Sequence, residues 1–135
     1  MDDKVKLSAR YKKIMVIDDT HLDRFVAEQL LTKNAVAEEV ICVGSAQHGL
    51  NYLNDCVVNN DPLPDLILLD IRMPEMDGFE FLEEFDKMPE AITSVCNIMM
   101  LSTSLDPEDL EKVQSNRHVK KFINKPLSKD KVNTI

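Results

Sequence analysis

Apolar positions along this chain recur with two different periods. Five short runs are nearly continuous: KIMVID at 13–18, VICVG at 40–44, DLILLD at 65–70, NIMMLS at 97–102 and VKKFIN at 119–124. Their length and aliphatic content predict strands. Between them apolar residues fall three and four apart, the spacing of one helix face. Leu22, Phe25, Val26 and Leu30 make one stripe, Leu50, Leu53 and Val57 a second, and Phe79, Leu82 and Phe85 a third. Helix starts are marked as well. Thr20 followed by Asp23 predicts the first N-cap, and Asp77 with Gly78 leads into the third helix. DPEDL opens a fourth with Asp106 as cap and Pro107 in the first position, and a fifth begins at Ser128 after Pro126.

Strands separated by roughly ten to fifteen helical residues predict parallel pairing through right-handed crossovers, hence an open, doubly wound α/β sheet with helices on both faces. The first and third runs are apolar throughout, as central strands covered on two sides must be. The second is shorter and more mixed, which suits an edge. No repeat or linker interrupts the alternation. The chain therefore reads as one folded domain over residues 13–135, preceded by a polar extension over residues 1–12.

Composition narrows the function classes. The 135 residues carry a formal net charge of -8, which argues against nucleic acid as a partner because phosphate backbones are bound by cationic surface. No apolar window is long enough to span a bilayer and the first residues are too polar for a signal peptide, so neither a membrane nor a secreted context is expected and the location reads as cytoplasmic. Cys42, Cys56 and Cys96 lie in apolar stretches without metal-ligand spacing and read as plain buried thiols. Charge is uneven along the chain. Residues 112–131 hold seven Lys or Arg against Asp130, while residues 75–90 are acidic. Solvated helix faces account for such runs, and a docking surface around the fourth helix and fifth strand is the alternative.

In a doubly wound sheet ligands bind beyond the carboxyl ends of the strands. Those ends carry Asp18 and Asp19, then Asp70, then Ser102 and Thr103, then Asn124 and Lys125. Two like charges about 4 Å apart repel by about 4 kcal/mol at an effective dielectric near 20, so three clustered carboxylates call for a cation. Oxygen-only ligands favour a hard ion, and Mg²⁺ is the usual one where phosphate is handled. A carboxylate nucleophile, a lysine, a hydroxyl and such an ion are the parts of phosphoryl transfer. Taken singly, each residue has a plainer reading. Asp18 and Asp19 suit a helix entry, Lys125 a surface charge, Ser102 a turn cap and Phe122 the core. Taken together, those readings leave the gathering of polar groups at strand ends unexplained.

The set IDD, LLDIRMPEMDG, LSTS and KFINKP, in this order and each at a strand end, closely resembles the receiver domain of two-component response regulators, chemotaxis-type single-domain proteins included. The resemblance runs from about Lys13 to Lys129. It implies a flavodoxin-like sheet of order 2-1-3-4-5, and a phosphoacceptor at Asp70 that takes its phosphoryl group from a phosphohistidine of a histidine kinase or phosphotransfer protein. It further implies Mg²⁺ held by Asp19 and Asp70 directly, by Asp18 mainly through water, and by the backbone carbonyl of Arg72. Lys125 and Ser102 would contact the phosphoryl group, and Ser102 and Phe122 would act as switch residues. The protein would be a signalling phosphoacceptor rather than an enzyme on other substrates, and its downstream target is open.

Three features depart from the family pattern: ten residues follow Lys125, leaving room for about half the usual fifth helix; Thr103 stands where a small residue is frequent; and residues 1–12 have no counterpart. Two rivals are a pseudo-receiver that only binds a partner and a haloacid-dehalogenase-type phosphatase. The phosphatase signature needs a second aspartate two residues after the nucleophile, where this chain has Arg72.

Overall fold

The computed structural model describes residues 9–103 and 106–135. Five strands, β1 (Tyr11–Ile17), β2 (Ala37–Val43), β3 (Leu66–Asp70), β4 (Asn97–Ser102) and β5 (Val119–Asn124), form one parallel sheet in the order β2-β1-β3-β4-β5. The helices are α1 (His21–Lys33), α2 (Ala46–Asn59), α3 (Gly78–Asp86), α4 (Glu90–Thr93), α5 (Pro107–Ser115) and α6 (Lys129–Val132). This is the open α/β sheet expected from the alternation of elements, in the flavodoxin-like strand order that the resemblance implies.

The period-two pleat divides the strands into two rows of side chains. Met15, Ile17, Ile67, Leu69, Ile98 and Met100 face α2, α3, α4 and α5, where Leu50, Leu53, Phe81, Phe85, Ile92 and Val113 complete one buried cluster. Ile14, Val16, Leu66, Leu68, Leu101 and Ile123 face α1 and α6 and pack with Ala27, Leu31, Val132 and Ile135. All five residues of β3 are buried, as a central strand requires.

Caps form where the residue types predict them, with one exception. Asp77 accepts from Glu80 N–H at 2.9 Å while Glu80 reaches back to Asp77 N–H at 2.9 Å, a complete capping box. Asp106 accepts from Asp109 N–H and Ser128 from Lys131 N–H. Thr20 occupies the N-cap position of α1 but makes no side-chain cap bond. Its hydroxyl and N–H both go to Asp18 Oδ1, at 3.2 and 3.1 Å.

Four expectations need correction. On α1, Leu22 and Phe25 are 68% and 53% exposed, and the sheet-facing positions are Ala27 and Leu31. Ala27 and Leu31 pack with Ile14 and Val16, and the longer Leu22 and Phe25 side chains lie outside that cluster. On α2 the stripe continues from Leu50 and Leu53 to Cys56, with Val57 exposed. The short α4 carries no stripe long enough to announce it and is anchored by Ile92 alone. The boundary at residue 12 falls inside β1, because Tyr11 and Lys13 pair with Ala37 and Glu39 and thereby also start β2 three residues early. Arg10 donates to the carbonyls of Val132 and Asn133. Residues 1–8 of the expected extension, and Ser104 of the LSTS motif, lie outside the described residues.

The three cysteines are free, with Cys56 and Cys96 buried and Cys42 half-buried. Burial pushes the Cys42 thiol up to about 11 and the Cys96 thiol up to about 12, which keeps both protonated and inert. Basic residues of the C-terminal third are largely spent inside the molecule. Lys131 Nζ donates to the carbonyls of Asn124 and Pro126, Lys121 Nζ to that of Thr134, and Arg117 with His118 meets Asp86. Among the described residues no helix is long and apolar enough to cross a membrane.

Candidate functional site

Pleat parity decides which polar groups meet. Asp70 continues the row of Leu66 and Leu68, Asp18 continues that of Ile14 and Val16, and Lys125 follows Ile123 two residues on, so all three emerge on the α1 side of the sheet. Ser102 belongs to the opposite row with Met100, whose partner in β5 is Phe122. The backbone locks the two strand ends together, since Lys125 N–H donates to Ser102 C=O at 2.8 Å.

Asp18, Asp19 and Asp70 each offer a carboxylate oxygen within 4.8 Å of the others. Asp18 and Asp70 are buried and Asp19 is exposed, which gives the cluster a closed floor and an open mouth. Lys125 Nζ lies 2.7 Å from Asp18 Oδ2, 2.9 Å from Asp23 Oδ2 and 3.4 Å from Asp70 Oδ1. Burial works against the Lys125 ammonium, but hydrogen bonds to Asp18 and Asp23 outweigh it and push its pKa above the ordinary lysine value. Asp70 is displaced the other way from a usual carboxylate. Burial first, and the neighbouring Asp18 charge second, push it up to about 6 against the pull of Lys125. Asp70 is therefore short of positive charge, and the all-oxygen cluster around it has the donor set of a hard divalent cation.

The segment after β3 is built to bring α3 close. Gly78 N–H donates to Ile71 C=O at 2.8 Å, and a Cβ on Gly78 would stand 2.7 Å from Asp70 O and 3.0 Å from Ile71 Cα. Only glycine fits that approach, which explains why MDG follows β3. The Arg72 side chain leaves the crevice and pairs with Asp109, a buried acid in the first turn of α5, with Asp106 at 4.0 Å. This tie links the loop after β3 to the helix after β4. Ser102 is buried, Thr103 is exposed, and Phe122 is half-buried against the cluster containing Phe81 and Met100.

The structure brings together Asp18, Asp19, Asp70 and Lys125 from the sequence reading, with Ser102 at the adjoining strand end. It adds Asp23, which the sequence marks only as an acid in a first helical turn. Lys125 lowers the pKa of Asp23 through their hydrogen bond, and the side chain thus belongs to the site. Beside it an apolar groove runs between α1 and the segment after β5, lined by Val16, Leu22, Val26, Leu101, Pro126 and Leu127.

Comparison with known proteins places this geometry. The family model described as the response regulator receiver domain matches residues 14–135. "Two-component response regulator ORR1" of Oryza sativa subsp. japonica is 30% identical over 121 residues, covering 87% of this chain and 51% of the rice protein. The chain thus spans about half the length of that relative. Among solved structures, a two-component response regulator from Cytophaga hutchinsonii superposes with a TM-score of 0.83 at 27% identity, covering 92% of each chain. The receiver domain of the histidine kinase CKI1 from Arabidopsis thaliana, complexed with Mg²⁺ and BeF₃⁻, superposes with a TM-score of 0.71 at 26% identity, covering 84% of this chain and 80% of that one.

Proposed function

This chain belongs to the response regulator receiver domain family, and from that premise we propose that it is a phosphoacceptor signalling module of a phosphorelay. It takes a phosphoryl group onto Asp70 from a phosphohistidine of a histidine kinase or histidine phosphotransfer protein. The observation that carries the reading is the crevice itself: a buried central-strand carboxylate short of positive charge, two further carboxylates within 4.8 Å, and a buried ammonium at 3.4 Å.

An Asp70 oxygen attacks phosphorus in line with the leaving imidazole. The new O–P bond forms as the P–N bond breaks, and the electron pair leaves with the imidazole nitrogen. Asp18, Asp19, Asp70 and the Arg72 carbonyl are the residues that would hold Mg²⁺, which when bound supplies charge neutralisation for the phosphoryl oxygens. Lys125 meets a second phosphoryl oxygen and Ser102 a third, so the chain positions the group rather than reacting with it covalently beyond Asp70. The Mg²⁺ and BeF₃⁻ bound by the Arabidopsis receiver support this choice of ion and of phosphoryl geometry. A donor must approach close enough to touch Asp70, and the exposed Leu22, which lines the groove shared with Asp18 and Lys125, gives it an apolar rim to rest on. The setting is cytoplasmic and the module acts on no substrate besides its own phosphoryl group.

Once formed, the aspartyl phosphate adds about -1.5 to -2 charges that Ser102 and Lys125 move to meet. Ser102 shares its row with Met100, against which Phe122 is registered, so displacement of the hydroxyl passes to Phe122 and on to α5.

Incubation with acetyl phosphate and Mg²⁺, followed by intact-mass measurement, tests the proposal. Wild type should gain one phosphoryl group and Asp70→Asn none. A pseudo-receiver would gain nothing, a phosphatase would release phosphate without an adduct, and full labelling of Asp70→Asn would remove Asp70 from its role.

A further inference from the structure

Lys125 is not centred on the acceptor. Of its contacts with carboxylates, the two shortest, at 2.7 and 2.9 Å, go to Asp18 and Asp23, and Asp70 is the most distant at 3.4 Å. We propose that Asp23 is a positioning residue: its carboxylate draws the Lys125 ammonium to the α1 side of the crevice in the unphosphorylated protein and competes with the incoming phosphoryl group for it. This deepens the reading above and rests on it.

The plainer role for Asp23, completing a capping box at the start of α1, is closed off by the hydrogen bonds. The Thr20 N–H that such a box would use is taken by Asp18, and the Thr20 side chain makes no cap bond. The Asp23 carboxylate accepts from Lys125 across 102 residues of chain, and this bond outweighs its local one with the Thr20 side chain.

Exposure decides which of the three contacts yields. An ammonium has three protons, and a phosphoryl group arriving on Asp70 claims at least one. The Asp18 side chain is 2% exposed, so without metal the loss of the ammonium would leave a buried charge unpaired. The Asp23 side chain is 42% exposed and exchanges lysine for water at small cost. Lys125 therefore lets go of Asp23 first, and the strength of that contact is a handicap against phosphorylation. Its size is that of one half-exposed ion pair, about two- to fivefold in rate or affinity.

The test uses the full chain as wild type, Asp23→Asn and Asp23→Glu, and Asp23→Asn placed in a Lys125→Ala background. Adduct formation from acetyl phosphate with Mg²⁺ should rise about two- to fivefold in Asp23→Asn, with beryllofluoride bound more tightly by a similar factor. Asp23→Glu should return toward wild type. In the Lys125→Ala background the gain should vanish. An unchanged rate in Asp23→Asn overturns the proposal, and so does a gain that persists undiminished without Lys125, which would make Asp23 a charge acting through space. A second readout needs no chemistry. Proton exchange of the Lys125 ammonium, followed by nitrogen-15 spectra without metal, should accelerate severalfold in Asp23→Asn, and unchanged exchange rules the contact out. Wild type that takes no phosphoryl group would sink the functional reading, while the exchange measurement would still decide the role of Asp23.

Discussion

Asp70→Asn should stabilise the metal-free domain, and by an amount that depends on pH in a calculable way. The folded-state pKa of Asp70 is raised from an ordinary 3.8 to about 6, chiefly by burial and secondarily by the Asp18 charge. A raised carboxylate pKa means that the folded state binds the proton more tightly than the unfolded state, so stability falls as pH rises between the two values. Below about pH 4 the group is neutral in both states and costs nothing; above about pH 6 it is ionised in both and the full penalty is present. A shift of this size corresponds to about 3 kcal/mol at neutral pH, of which about 2 kcal/mol should develop between pH 4.5 and 7.5.

Other acids titrate over the same range, which makes the difference between variant and wild type the informative quantity. Urea unfolding of both proteins across that window should show the Asp70→Asn advantage growing with pH and levelling off above 7, where its midpoint lies about 1–3 M higher. A difference that stays constant with pH, or shrinks as pH rises, refutes the argument that Asp70 is held short of positive charge.

Saturating Mg²⁺ at a hundredfold excess over its dissociation constant should stabilise wild type by about 2.7 kcal/mol, and Asp19→Ala should lose most of that gain while being no less stable than wild type without metal, as thermal melts with and without EDTA would show. Arg72→Ala leaves the buried Asp109 carboxylate without its guanidinium and should cost about 1–2 kcal/mol by urea unfolding, between the values for exposed and fully buried pairs; no loss would show the tie between the loop after β3 and α5 to be idle. Gly78→Ala should destabilise by about 2 kcal/mol although alanine is the better helix former, because its Cβ would meet Asp70 O at 2.7 Å; a stabilised variant would mean that α3 can retreat freely.

The amino-acid sequence by itself determined the sheet, its central strands and the polar groups at its carboxyl edge. The reason is that strand identity rests on local continuity of apolar residues, and parallel connection then forces every carboxyl end to one side. Asp18, Asp19, Asp70, Ser102 and Lys125 were legible for that reason, as were the caps Asp106 and Ser128, whose bonds span only three residues. What tertiary structure decided is how the helices rotate and which side chains cross between elements. Leu22 and Phe25 on α1 are as apolar as any core residue, yet it is Ala27 and Leu31 that pack against the sheet while Leu22 and Phe25 stay exposed. The contacts of Asp23 with Lys125 and of Arg72 with Asp109 span 102 and 37 residues. No local pattern encodes either one, because each exists only once packing has set two separate helices against the same strand ends.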